Sequence, residues 1–169
     1  VALGQLARYR REAWAKPVIG VGGSNGKTST KELLKAALGS VYEVHATSGN
    51  LNNQVGVPLT LLALPDHADV AVIEAGTNEP GEMAILREIM RPDVVVVTTV
   101  QEEHLEGFGD LAGVMAEEMS FCDGVPLAIV PADEAEVLRE TMARAGRVVA
   151  AGLSQGDRRA TEHGLNPDG

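Results

Sequence analysis

A glycine-rich segment that carries a lysine and a threonine lies near the start of the chain. An apolar run at residues 18–22 leads into Gly23-Ser-Asn-Gly-Lys-Thr-Ser29, and a helix-forming sequence follows. At such a junction, unpaired N–H groups and the helix dipole attract phosphate oxygens. The Lys27 ammonium can reach the β- and γ-phosphates of a nucleotide, and the Thr28 hydroxyl can ligate Mg²⁺. The predicted nucleotide-binding residues are Gly23, Ser24, Asn25, Gly26, Lys27, Thr28 and Ser29.

This segment is a shortened form of the usual phosphate-binding loop. The pattern G-x-x-x-x-G-K-[ST] places a glycine six residues before the lysine, where this chain has Val21. A glycine-rich turn with a solvated lysine is the alternative interpretation. The apolar strand before the segment and the helix after it favour phosphate binding.

Two further candidates for metal binding follow apolar strands. Glu74 ends the run ADVAVIE, and in P-loop enzymes an acid at the end of a neighbouring strand holds Mg²⁺. His104 follows VVVVTTV and lies beside Glu102 and Glu103, so a neutral imidazole could act as a ligand there. The alternatives are a solvated strand-end acid and an exposed loop histidine.

Glu118 lies on the apolar side of a predicted helix. Its neighbours three and four residues away are Val114, Met115, Phe121 and Cys122. A carboxylate in such a position needs a cation or a hydrogen-bond donor, since otherwise its pKa rises and it becomes neutral. A position at the helix edge, with the carboxylate in water, is the alternative.

Three asparagines lie in a polar loop at residues 47–53. Asn50, Asn52 and Asn53 can each donate and accept hydrogen bonds. The same amides are also common in turns, and Asn53 precedes a predicted helix.

Apolar runs alternate with helical patterns along the whole chain. The predicted strands span 18–21, 41–45, 68–74, 94–100 and 127–130, and a last one starts at 148. A first helix is predicted to end near Pro17, and the other predicted helices span 31–38, 58–64, 82–90, 110–121 and 135–145. Strands that are apolar on both faces indicate an α/β fold with a mostly parallel sheet covered by helices on both sides. Ligands of such sheets bind at the carboxyl ends of the strands, where all the candidate residues fall.

Composition limits the possible partners. A chain of 169 residues with 44% apolar residues is expected to form one domain. The net charge of −10 argues against a nucleic-acid or anionic-membrane surface. The single cysteine, Cys122, excludes an internal disulfide and suits a reducing cytoplasm. No apolar run reaches the ~20 residues of a membrane span. We expect no signal peptide, and we expect a monomer.

Four ordered motifs resemble those of the central ATPase domain of the Mur ligases. They are the loop at 23–29, the run GNLNNQVGVP at 49–58, Glu74-Ala-Gly, and HLEGFG at 104–109. The resemblance extends from residue 2 to about residue 133. It is greatest to the family members that add D-alanyl-D-alanine to a UDP-N-acetylmuramoyl-tripeptide. The implied fold is a P-loop NTPase-like central domain, here truncated.

The resemblance implies an ATP-dependent ligase. ATP would phosphorylate the carboxylate of the UDP-muramoyl-tripeptide, and the amine of D-Ala-D-Ala would attack the acyl phosphate to form an amide. The implied catalytic residues are Lys27, His104 and Glu118; the implied Mg²⁺ ligands are Thr28, Glu74, His104 and Glu118; the implied substrate-binding residues are Asn50, Asn52 and Asn53.

The chain departs from the family pattern in two respects. Glu118 stands where the family usually has a carbamylated lysine, and no lysine follows Lys35. The UDP-binding domain, the amine-delivering domain and a late His-Asn-x-x-Asn stretch are also missing. We therefore expect residues 1–16 to be a helix and linker from a missing N-terminal domain, and residues 17–169 to be an incomplete ATP-binding domain, inactive alone.

Three alternatives to this ligase remain open at this stage. They are a nucleotide-binding module without ligase activity, a folylpolyglutamate synthetase-like ligase, and a P-loop kinase or GTPase. The last is disfavoured because the chain lacks an Asn-Lys-x-Asp base-reading motif.

Overall fold

The computed structural model describes residues 2–101 and 105–160 as seven helices and seven strands. The helices are α1 (Ala2–Trp14), α2 (Lys27–Leu38), α3 (Gly56–Leu62), α4 (Glu82–Met90), α5 (Leu105–Phe108), α6 (Leu111–Ser120) and α7 (Ala135–Met142). The strands are β1 (Val18–Gly22), β2 (Val44–Ala46), β3 (Val70–Glu74), β4 (Val94–Val97), β5 (Leu127–Pro131), β6 (Val148–Gly152) and β7 (Arg158–Arg159). Across these described segments, no helix has the length and apolar character needed to cross a membrane.

All seven strands form one parallel sheet, so the predicted α/β fold is confirmed. The strand order is β2-β3-β1-β4-β5-β6-β7. The chain leaves β1 toward β2 on one side and later crosses to β4 on the other. The carboxyl end of β1 is therefore the point where the strand order reverses, which is where ligands bind in sheets of this kind.

Most predicted elements are present, with shifted ends. α4 has the predicted bounds, and α1 ends before Pro17 as expected. β2 is shorter than predicted because the N–H groups of Val41 and Tyr42 both donate to Leu38 O and close the end of α2. β4 stops at Val97, and the short elements α5 and β7 had no counterpart in the prediction.

α1 is fastened to the sheet by a buried arginine. Arg11 donates to the carbonyls of Met90 and Arg91 and to Asp93 Oδ2, at 2.8–3.0 Å. Asp93 Oδ2 also accepts the Val18 N–H at 2.8 Å, so the same carboxylate holds the start of β1. Burial lowers the pKa of the Arg11 guanidinium, and the Asp93 charge opposes that shift.

The ring of Phe121 fills the space above two glycines of β1. Phe121 is fully buried, and a Cβ at Gly20 would lie 2.5 Å from its Cζ atom. A Cβ at Gly22 would lie 2.9 Å from its Cδ1 atom. Glycine is therefore needed at both positions of β1, because any side chain there would clash with the Phe121 ring.

The two faces of the sheet are covered unequally. α2 packs against β1, β2 and β3, whereas α7 packs against β5 and β6 and also contacts α6. On the α2 side, the register aligns Val94 with Leu127 and Val96 with Ile129, and all four are only partly buried. The described residues thus leave an apolar row of the sheet half-exposed.

Truncation of Phe121 is expected to destabilise the fold strongly. Phe121→Ala should lower the free energy of unfolding by about 3–5 kcal/mol, because glycines leave nothing that could fill the cavity. Urea denaturation measures the change. Leu111→Ala, at the first residue of α6 and 39% exposed, is the control and should cost less than about 1 kcal/mol. Equal losses in the two variants would contradict this packing argument.

Candidate nucleotide-binding site

The loop between β1 and α2 has a backbone that requires glycine at two positions. Gly23 has φ 111° and Gly26 has φ 82°, both in the left-handed region. A Cβ at Gly23 would also lie 2.4 Å from Thr98 Oγ1. Gly26 is the N-cap of α2 and offers no side chain to its first N–H groups. The helix N-terminus is therefore left for an anion.

The loop is tied to the chain that follows β4. The Ser24 N–H donates to Thr99 O at 2.7 Å, and the Ser24 hydroxyl accepts the Gln101 N–H at 2.9 Å. The Asn25 side chain donates to Gln101 Oε1 at 2.9 Å. Both side chains thus form hydrogen bonds within the protein. The predicted contacts of Ser24 and Asn25 with a nucleotide would therefore come from their backbone groups.

Lys27 lies folded over the loop. Its Nζ donates to the carbonyls of Gly23 and Ser24, the latter at 2.9 Å. The residue is only partly buried. These carbonyls hold the ammonium beside the N-terminus of α2.

The structure brings Thr28 and Glu74 together, as the sequence predicts. Thr28 Oγ1 donates to Glu74 Oε2 at 2.9 Å, and Asn52 Nδ2 donates to Glu74 Oε1 at 2.9 Å. Glu74 is 2% exposed and ends β3, beside β1. A carboxylate and a hydroxyl at this separation are the hard oxygen ligands that suit Mg²⁺.

The described residues contain no group of three or more His, Cys, Asp or Glu side chains that could hold a metal ion. Mg²⁺ does not require one, since it is commonly held by one or two carboxylates together with phosphates and water. The Thr28–Glu74 pair fits that mode of binding.

The asparagine loop divides its three amides among different contacts. Asn52 reaches Glu74, as described above. Asn53 Oδ1 accepts the N–H groups of Val55 and Gly56, at 3.1 and 2.9 Å, and so forms the turn that starts α3. Asn50 is exposed, and its carbonyl accepts the Asn52 N–H at 2.8 Å. Substrate binding by these residues stays a prediction.

Glu118 has the hydrogen-bond donor that its apolar surroundings demand. The residue is 3% exposed, and its Oε2 accepts the Gly23 N–H at 2.8 Å. α6 thereby holds the first glycine of the loop. Metal ligation by Glu118 stays a prediction, and His104, with Glu102 and Glu103, lies outside the described residues.

Sequence reasoning missed the roles of three buried polar residues near this site. Glu117 accepts the Gly81 and Met83 N–H groups, both at 2.7 Å, and caps α4. Thr47 Oγ1 accepts the Glu74 N–H at 3.0 Å, and Lys31 donates to Thr47 O at 2.9 Å. No local sequence pattern marks these contacts, because the two partners of each contact lie far apart in the sequence. The one available signal was Lys31, a charged residue on the side of α2 that faces the protein interior.

Comparison with known proteins shows the family of this chain. The family model described as "Mur ligase middle domain" matches residues 21–168. The UDP-N-acetylmuramoyl-tripeptide–D-alanyl-D-alanine ligase of Bacillus subtilis (strain 168) is 41% identical over 124 residues, or 73% of this chain. The ligase of the same name from Escherichia coli (strain K12) is 43% identical over 136 residues, or 79% of this chain.

A solved structure is similar over nearly the whole chain. The crystal structure of MurF ligase from Thermotoga maritima in complex with ADP matches 92% of this chain with a TM-score of 0.85 and 32% identity. The chain spans 27% and 30% of the two curated relatives and 37% of that structure.

Loss of the Glu118 charge is expected to loosen the loop. A hydrogen bond to a charged group contributes about 1.5–3 kcal/mol, so Glu118→Gln should lower the free energy of unfolding by about 1–3 kcal/mol. Urea denaturation gives this value, and ADP titration should show weaker binding. Glu88→Gln, at an exposed position on α4, is the control and should stay within about 0.5 kcal/mol. If Glu118→Gln changes the free energy of unfolding no more than this control does, the charge of Glu118 does not stabilise the loop through its bond to the Gly23 N–H.

Proposed function

Because the chain belongs to the Mur ligase family, we propose that it forms the ATP-binding core of a ligase that joins D-alanyl-D-alanine to a UDP-N-acetylmuramoyl-tripeptide. Both curated relatives carry the name of that enzyme. The activity belongs to a protein longer than this chain, which acts in the cytoplasm in peptidoglycan precursor synthesis. The same relatives favour this function over a folylpolyglutamate synthetase-like ligase.

The observation that carries the proposal is the contact of Thr28 with Glu74 at the N-terminus of α2. It places a hydroxyl and a carboxylate 2.9 Å apart beside a loop whose backbone suits phosphate. ATP therefore binds with its phosphates on the loop, and the Thr28–Glu74 pair holds Mg²⁺. When bound, Mg²⁺ neutralises phosphate charge and polarises the γ-phosphoryl group.

The reaction consists of two transfers that the chain promotes by positioning. A substrate carboxylate oxygen attacks the γ-phosphorus, the bond to the β-γ bridging oxygen breaks, and ADP leaves. The amine nitrogen of D-Ala-D-Ala then attacks the acyl carbon, phosphate leaves, and the nitrogen loses a proton. Lys27 moves from the loop carbonyls to the β- and γ-phosphates and stabilises the transferred charge.

Glu118 and His104 complete the proposed site. Glu118 is a permanent carboxylate where other family members carry a carbamylated lysine. We propose that it and His104 hold a second Mg²⁺, and activity should then be indifferent to bicarbonate. The burial of Glu118 against the loop supports this, since its carboxylate already lies beside Gly23.

The chain is proposed to work within a larger enzyme. Residues 1–16 form a helix and linker, and residues 17–169 form part of the ATP-binding domain. The half-exposed apolar row of Val94, Val96, Leu127 and Ile129 supports this proposal, because such a row is ordinarily covered. Alone, the chain is expected to bind nucleotide without forming an amide.

A ligation assay with the full-length protein tests the proposed activity. ATP, Mg²⁺ and the UDP-muramoyl-tripeptide should give an amide with D-Ala-D-Ala and not with single amino acids. Lys27→Ala should lower turnover by at least about 100-fold, since it removes charge stabilisation in the transition state, while circular dichroism stays unchanged. The exposed Lys35→Ala is the control. Normal turnover of Lys27→Ala would show that the loop is not the phosphate site.

Neutralisation of Glu74 is expected to separate metal binding from nucleotide binding. Glu74→Gln keeps the shape and the hydrogen-bonding oxygen but removes the charge that holds Mg²⁺. The Mg²⁺ concentration for half-maximal turnover should rise by at least about tenfold, as is usual when metal-site groups are altered. ADP affinity measured in EDTA should change by less than about threefold. An unchanged Mg²⁺ requirement would show that the Glu74 carboxylate does not bind the metal.

A further inference from the structure

Lys31 is the one buried residue of α2, and it is charged. Its side chain is 1% exposed, between the helix and the sheet. An ammonium group is costly to bury unless it is paired, and an apolar side chain would fill the same space without that cost. The charge at this position therefore points to a role beyond packing.

The Lys31 ammonium has a backbone partner and a side-chain partner. Nζ donates to Thr47 O at 2.9 Å and forms an ion pair with Glu32 Oε1 at 2.9 Å. Glu32 is half-exposed, and the hydrogen bond from Lys31 lowers the pKa of its carboxyl. The buried end of this arrangement is the Thr47 carbonyl.

Thr47 passes this contact on to β3 through its remaining polar groups. Its N–H donates to Val72 O at 3.1 Å, and its hydroxyl accepts the Glu74 N–H at 3.0 Å. Thr47 is 2% exposed, so water does not compete for these bonds. The backbone of Glu74 is thus fixed by Thr47, and Thr47 is fixed by Lys31.

α2 consequently reaches Glu74 by two routes. Thr28 contacts the carboxylate directly, and Lys31, one turn further along the helix, acts through Thr47 on the backbone N–H. Three hydrogen bonds therefore connect α2 with Glu74, one directly from Thr28 and two through Thr47. They include the two oxygen atoms proposed to bind Mg²⁺. A shift of Thr47 would tilt the Glu74 carboxylate relative to Thr28.

We propose that Lys31 is a positioning residue of the metal site, which acts through Thr47 to hold Glu74 in register with Thr28. This inference rests on the proposed function, because it assigns Mg²⁺ to the Thr28–Glu74 pair. Outer partners of this kind typically change metal affinity by about 10–100-fold when they are removed. Lys31 itself touches neither nucleotide nor metal.

The test measures ADP affinity of the full-length protein by calorimetry, once in EDTA and once over a series of Mg²⁺ concentrations. Lys31→Met keeps an unbranched side chain that reaches as far as Cε and removes the ammonium. We expect the half-saturating Mg²⁺ concentration to rise at least about tenfold, with ADP affinity in EDTA within about threefold of the parent. Lys35→Met, one turn further along the same helix and exposed, should match the parent in both measurements.

A second pair of variants decides the matter if Lys31→Met does not fold. Thr47→Ser keeps the hydroxyl that accepts the Glu74 N–H, whereas Thr47→Val removes it at nearly constant volume. Thr47→Val should require at least about tenfold more Mg²⁺ than Thr47→Ser.

Three results would overturn the inference. Equal Mg²⁺ requirements for Lys31→Met and Lys35→Met would do so, as would equal requirements for the two Thr47 variants. The third is a parent protein whose ADP binding does not respond to Mg²⁺ at all, and that result alone would also overturn the proposed function.

Discussion

The site depends on how the loop after β1 is held from outside its own stretch of sequence. The Gly23 N–H donates to Glu118, and the Ser24 N–H donates to Thr99. These acceptors lie 95 and 75 residues further along the chain, so the loop takes its shape only when β4 and α6 are in place. The left-handed glycines make the shape possible, but they do not select it.

Buried carboxylates around this loop are costly, and the structure compensates them with hydrogen bonds. Glu74, Glu117 and Glu118 each accept at least one bond from the backbone or from a neutral side chain. Two consecutive residues of α6 thereby fix two separate elements, since Glu118 holds the loop and Glu117 caps α4. A satisfied network of this kind favours one arrangement of the helices over others, because any shift leaves a buried carboxylate without donors.

Local features made much of the fold predictable. Val70–Glu74 and Val94–Val97 are apolar on both faces, which indicates parallel strands, and the glycines with Lys27 mark the phosphate loop. The pairing of Thr28 with Glu74 followed from the same reasoning, since Glu74 ends β3 and Thr28 follows the loop at the carboxyl end of β1. The ends of β2 and the role of Asn53 were harder, because a turn and a helix start compete there with strand and ligand contacts. The role of Lys31 was not predicted, because its buried partner is the Thr47 carbonyl and no sequence pattern marks a backbone acceptor.

The charge distribution adds a constraint on how this domain binds a nucleotide. The chain carries a net charge of −10, and two buried carboxylates, Glu74 and Glu118, lie beside the loop. Neither its overall field nor these groups attract a triphosphate, so attraction has to come from Lys27 and from the N–H groups of α2. In the proposed site, a divalent cation changes this balance, because it would turn Glu74 from a group that repels the γ-phosphate into one that anchors it through the metal. The precise alignment of Glu74 with Thr28 then matters more than its charge alone, since a misaligned carboxylate keeps the repulsion and loses the ligand. For the proposed metal site, this requirement explains the buried hydrogen bonds from Lys31 to Thr47 and from Glu74 to Thr47.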